Sequence, residues 1–145
     1  MMKPSELQAF LYHNIPAAAA LKLQVQESSR ERVALSAPFA ANCNHHHTVF
    51  GGSISLAATL CGWSLVHVRY PEYHGKIVIQ DGHTRYLQPA TGDLSAVCEA
   101  EHPAAWAKCS DMLAKRGKGK IDVQCRLYSN GILAAAFDGR YVVLA

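Results

Sequence analysis

No aspartate, glutamate, lysine or arginine lies between Arg32 and Arg69 of this 145-residue chain. So long a stretch without formal charge has to be enclosed, either by protein or by lipid. Its apolar run from Val49 to Val68 is broken by Gly51, Gly52, Ser53, Ser55, Thr59, Gly62, Ser64 and His67, a polarity too high for a lone bilayer span of about 20 residues. We read it as a buried helix and expect no membrane association. Cysteine pairs are lacking too: Cys43, Cys61, Cys98, Cys109 and Cys125 are odd in number, widely spaced and never in a CxxC arrangement. That excludes a disulfide framework and a thiolate zinc site, and fits a cytoplasmic protein. The opening MMKPSELQAF has no apolar core followed by a small-residue cleavage site, so no secretory signal is expected. Basic residues gather only at Lys115, Arg116, Lys118 and Lys120. Without stacking aromatics between them they do not make a nucleic-acid surface; a phosphorylated or acidic partner, or a solvated helix end, remains open.

What is present is the composition of one globular domain, residues 1–145, with half of the residues apolar and 17% charged. Pro4 to Tyr12 reads as a short amphipathic helix, extended by Ile15 to Ala20. Leu21 to Gln26 and Val33 to Ala37 alternate with period two on either side of a polar turn, the pattern of a hairpin. Pro38 to Thr48 is a loop rich in Asn and His. Gly52 to Val68 follows, a helix apolar around nearly its whole circumference and therefore expected to be enclosed. Lys76 to Gln88, Leu94 to Glu101, Ile121 to Ser129 and Ile132 to Leu144 read as four strands. A helix from His102 to Lys118 is inserted among them, and Asn130-Gly131 marks a type I′ turn. The order suits an α+β domain in which a curved antiparallel sheet wraps one long central helix.

That order resembles the hotdog fold. The segment Ala37-Pro-Phe-Ala-Ala-Asn-Cys-Asn-His-His-His-Thr-Val-Phe-Gly-Gly-Ser53 is similar to the signature of the thioesterase branch of the hotdog superfamily, in which Asn, then Thr, then Phe-Gly-Gly-Ser open the central helix. Tyr86-Leu-Gln-Pro-Ala-Thr-Gly-Asp93 resembles that family's strand end and turn. Members occur alone or fused behind an acetyltransferase domain, and some are described as malonyl-acyl carrier protein decarboxylases. Two positions depart from the pattern. His47 stands where a Gly often precedes the Thr, and Thr59 stands where hydrolases of coenzyme A thioesters often carry an Asp or Glu. The resemblance implies a pantetheine thioester, on coenzyme A or acyl carrier protein, as substrate and partner, with no further cofactor. It also implies a site shared within a homodimer or tetramer.

Helix-opening N–H groups have no internal partner and sit at the positive end of the helix dipole, so they bind anionic oxygen. We expect Asn44, with backbone donors from Gly52 and Ser53, to hold a thioester oxyanion or enolate, and Thr48, Phe50, Thr59, Tyr86 and His47 to shape the acyl site. Hydrolysis also needs a base for water, which Thr59 cannot supply. Decarboxylation of a malonyl thioester needs the enolate held and the carboxylate poorly solvated, which uncharged surroundings favour. The expectation is a malonyl-acyl carrier protein decarboxylase of fatty-acid metabolism. A thioesterase, or a non-catalytic acyl- or carrier-binding module, stays open as an alternative. Neighbouring His45, His46 and His47 point in alternating directions and lack an acidic companion, so no metal site is expected. Asp81, His83 and Asp93 read as surface residues. Trp63 and Phe50 read most simply as core, with Phe50 also a candidate wall of the acyl pocket, and Cys43 and Cys61 as small buried hydrophobes.

Overall fold

A computed structural model describes residues 2–145. Helix α1 (Pro4–Asn14) starts on a proline, whose missing N–H would have been unsatisfied there anyway. It buries Leu7 and Leu11, one turn apart. A short α2 (Pro16–Ala20) follows. The strand expected from Leu21 begins only at Gln24 (β1, Gln24–Ser28). Lys22 takes a left-handed backbone with φ of 55° where α2 ends, although Leu21, Leu23 and Val25 keep their buried positions. Strand β2 (Arg32–Ala37) pairs antiparallel with β1. Within the expected loop lies a single helical turn, α3 (Phe39–Asn42).

The central helix is α4 (Gly51–Arg69). Strands β3 (Ile77–Tyr86) and β4 (Leu94–Glu99), helix α5 (Pro103–Arg116), and strands β5 (Lys118–Ser129) and β6 (Ile132–Leu144) complete the chain. All pairings are antiparallel, and the six strands lie in the order β1-β2-β4-β5-β6-β3. Asn130 and Gly131 both have positive φ, 52° and 74°, as a type I′ hairpin between β5 and β6 requires. Strand β5 starts three residues before its expected position because its ladder with β6 runs as far as Lys118 opposite Leu144.

Strict alternation along β5 buries Gly119, Ile121, Val123, Cys125 and Leu127 on the concave face, and β6 adds Phe137 and Tyr141. These close over α4, whose buried residues include Ile54, Ala58, Cys61, Leu65 and Val68. Each fully buried aliphatic side chain of this kind contributes about 1.5–3 kcal/mol. Gly62 is required where sheet and helix approach most closely: a Cβ there would stand 2.5 Å from the Tyr141 hydroxyl and 2.9 Å from its ring. The hydroxyl donates to the Thr59 carbonyl at 2.7 Å, and burial pushes its pKa well up, so it stays a donor.

Enclosure of α4 is incomplete. Gly52 is exposed, and Ser55, Leu56, Thr59 and Trp63 are only half-buried, a stripe at helical spacing that the chain's own sheet leaves uncovered. Strand β3 borders the same side as a sheet edge, with Val78 53% exposed. No other helix among the described residues is long and apolar enough to cross a membrane, and α4 meets that test as the core of the domain.

Candidate active site

The Asn- and His-rich loop is a hydrogen-bonded turn built on Asn44. The Asn44 N–H donates to the Thr48 carbonyl at 2.8 Å, and the His47 N–H donates to the Asn44 carbonyl at 3.2 Å. The side-chain Oδ1 accepts from the N–H of His46 at 2.9 Å and from both the N–H and the hydroxyl of Thr48 at 3.2 Å. Oδ1 is thus fully occupied in shaping the turn, whereas Nδ2 has no acceptor among the described residues. His47 takes φ of 60°, the left-handed conformation that glycine adopts freely.

Loop and helix are tied together. The Phe50 N–H donates to the Asn42 carbonyl at 2.8 Å and the Val49 N–H to the Ala90 carbonyl at 2.8 Å. Buried Asn42 sends Nδ2 to the carbonyls of Leu21 and Pro38, both at 2.9 Å. Asp93 holds the start of α3 by accepting the Phe39 N–H at 2.7 Å. Sequence reasoning missed both anchoring roles; the one available signal was an Asn at the end of the apolar run Phe39-Ala40-Ala41.

At the head of α4 the N–H groups of Ser53 and Ile54 turn back to the Phe50 carbonyl, at 2.9 and 3.1 Å. Ser53 was expected to be a free backbone donor, but its N–H is engaged by this tight first turn. The N–H groups of Gly51 and Gly52 have no partner in the chain among the described residues, so the pair of free donors sits one residue earlier than expected, with Gly52 common to both. Gly52 also leaves room for Phe50, since a Cβ on it would meet that ring at 2.5 Å.

Beside this turn an open cleft of about 340 Å³ is lined by Val49, Gly51, Ile54 and the segment Tyr86 to Ala90. The Tyr86 hydroxyl reaches across to the Gly51 carbonyl at 2.9 Å. Further along α4, Ser55 and Thr84 share a hydroxyl contact at 3.2 Å, and the Thr59 hydroxyl is bonded back to the Ser55 carbonyl at 2.8 Å. No carboxylate or ammonium lines the cleft. Of the residues with free donors Gly51 lines this cleft, whereas Gly52 and Asn44 lie outside its lining. A thioester carbonyl here would stand at the positive end of the helix, with no carboxylate beside it.

Other expected positions divide. Phe50 is 59% exposed and not core, because it stands at the uncovered head of α4. Cys43 is exposed as well, in the bridge that pairs it with Val49. Cys61 is buried, and burial pushes its thiol well up, leaving a small protonated hydrophobe. Trp63 is half-buried and donates its Nε1 to the Ile77 carbonyl at 3.0 Å. Asp81 and His83 are exposed on β3.

The same architecture recurs in solved structures. A protein of unknown function from Chlorobaculum tepidum TLS superposes with a TM-score of 0.90 at 24% identity, covering 99% of this chain and 97% of that one. A probable thioesterase from Pseudomonas aeruginosa, also of unknown function, gives 0.80 at 21% identity, with 99% and 97% covered. These two establish the fold. A putative thioesterase from Shewanella oneidensis is 30% identical over 98% of this chain and 97% of its own, with a TM-score of 0.81. The family model described as "Putative thioesterase (yiiD_Cterm)" matches residues 4–145. The chain therefore belongs to that family, a hotdog-fold protein of the acyl-thioester-processing kind.

Proposed function

We propose that the chain decarboxylates a malonyl thioester carried on acyl carrier protein, giving the acetyl form. The N–H groups of Gly51 and Gly52, with the Asn44 amide, would receive the thioester oxygen as the bond between the carboxylate and the methylene carbon breaks. Carbon dioxide leaves, the electron pair passes to the enolate, and a proton from solvent completes the acetyl group. The observation that carries this reading is the free N–H groups at the opening of α4, on Gly51 and Gly52, the first of which lines a cleft that no carboxylate lines. Such donors contribute about 3–4 kcal/mol each to a developing oxyanion. Hydrolysis would need a base to take a proton from water.

Thioester hydrolysis is the second reading, favoured by the family description and by the Shewanella oneidensis relative. Exposed Cys43, His45, His46 and His47 are the titratable groups nearest in sequence to Asn44. Incubating the purified chain with malonyl carrier protein, and in parallel with malonyl and straight-chain acyl coenzyme A, separates the readings by mass spectrometry. Acetyl carrier protein supports decarboxylation, and free malonate with unloaded carrier supports hydrolysis. Binding without turnover in any arm would make the chain a non-catalytic acyl-binding module.

A homodimer, or a tetramer made from it, is part of the proposal. Its support is the uncovered stripe of α4 beside the edge strand β3, together with Phe50 and Tyr86, 59% and 56% exposed. A long unpaired edge is a template for a second strand, and a second copy laid there would wall the open side of the cleft.

A further inference from the structure

Among the described residues the ion pairs of this chain fall chiefly on the sheet. Arg140 pairs with Asp122 at 2.8 Å, Arg85 with Asp138 at 3.1 Å, and Arg126 with Glu99 and Glu101 at 4.0 and 3.7 Å. Four cations close together in sequence, Lys108, Arg116, Lys118 and Lys120, are exposed and meet no carboxylate. They lie on α5 and on the first residues of β5.

Between these two elements runs a groove of about 610 Å³. Ala105, Met112 and Ile121 give it apolar surface, and Lys108, Arg116 and Lys120 give it unpaired positive charge. The other charged lining groups largely neutralise one another: Lys115 pairs with Asp111 at 3.1 Å, and Arg140 with Asp122. The helix is fixed from behind. Trp106, Cys109 and Leu113 are buried, Arg69 lies over the Trp106 ring at 4.5 Å, and the Tyr70 hydroxyl contacts Ser110 at 2.9 Å. Those contacts put α5 beside the last turn of α4, a helix about 28 Å long, so the groove stands at the opposite end from Gly51.

We infer that the groove between α5 and β5 docks an acidic amphipathic helix of a protein partner. An apolar floor rimmed by unpaired cations complements a helix whose apolar stripe is flanked by carboxylates. A second copy of this chain would bring its own cations against these. No aromatic side chain lines the groove to stack a base. A membrane would require apolar side chains that protrude, whereas Met112 and Ile121 are recessed, half-buried and buried.

The test is selection of helical peptides from a displayed library on the immobilised full chain, with the Lys108→Glu, Arg116→Glu, Lys120→Glu triple variant as counter-target. The three side chains are exposed and without carboxylate partners, so the variant should keep its circular dichroism; if it does not, the corresponding glutamine triple replaces it. Expected are enriched peptides with Asp or Glu on both sides of an apolar i, i+4 stripe. They should bind the unmodified chain at least about tenfold more tightly than the variant, weaken with added salt, and shift the Met112 methyl signal in NMR. The inference is overturned if nothing enriches, if enriched peptides lack acidic residues or bind the variant equally, or if the Met112 signal stays still. It is overturned too if inorganic tripolyphosphate alone reproduces that shift, which would reassign the groove to a small anion.

Discussion

The Tyr86 hydroxyl donates to the Gly51 carbonyl at 2.9 Å, fastening the end of the edge strand β3 to the first residue of the central helix. This bond orients the peptide that follows Gly51, and so the direction in which the Gly52 N–H points. Tyr86→Phe should therefore cost little stability, about 0.5–1.5 kcal/mol at most for one exposed bond. Turnover should fall several-fold with unchanged expression, as read from acetyl-carrier formation beside urea denaturation. Full turnover in a stable Tyr86→Phe protein would show that the bond does not set the donor.

Gly62 and Tyr141 form a second close pair, deep under the sheet. Gly62→Ala should destabilise by about 1–3 kcal/mol, as overpacking does in a close-packed interior. Tyr141→Phe, which loses the bond to the Thr59 carbonyl, should cost about 1 kcal/mol. The two changes share one contact, so the double variant should fall short of the sum. Additive losses in chemical denaturation would mean that the hydroxyl is not the obstacle.

Stability should decline in mild acid because of His67. Its ring is buried between Phe10 and Trp63, with centroids 4.3 and 5.2 Å away, and neither ring nitrogen has a hydrogen-bond partner among the described residues. Burial, and then the charge of His74, lowers its pKa from the usual 6.5. The unfolded chain consequently binds the proton more readily than the folded one. This histidine contributes no pH dependence well above 6.5, and stability is lost as pH falls through that value towards the lowered one. Urea midpoints measured from neutral to mildly acidic pH should show the decline, and His67→Phe should flatten it. An equal slope in that variant would assign the effect to other groups.

His47 carries a left-handed φ of 60° that a side chain disfavours. His47→Gly should raise stability by about 0.5–1 kcal/mol, and thermal denaturation measures it directly. A fall in stability would mean that the imidazole makes a contact outweighing the strain.

Much of this was legible in the residues themselves. Ile121 to Ser129 read as a strand, Asn130-Gly131 marked its hairpin, and the charge-free run into Gly51-Gly52 marked the central helix. Other features were not legible, because they are decided by contacts distant in sequence. Lys22 closes α2 instead of continuing β1, and the Phe50 carbonyl captures the Ser53 N–H and shifts the free donors to Gly51 and Gly52. Cys43 and Phe50 are apolar by type yet exposed, Phe50 because it stands at the uncovered head of α4 and Cys43 in the loop bridge to Val49. His47 carried a signal that the structure explains: the resemblance puts a glycine at this position, and its backbone has the conformation that glycine favours.

The central claim is that Asn44 presents an amide N–H to the thioester oxygen, and Asn44→Asp tests it without dismantling the turn. Aspartate keeps an oxygen for the three bonds that Oδ1 accepts from His46 and Thr48, but replaces the donor with a negative oxygen. The account expects an unaltered fold by circular dichroism and urea midpoint, with conversion of malonyl carrier protein reduced by about 10²- to 10³-fold. Conversion at the rate of the unmodified chain by a folded Asn44→Asp protein would contradict it.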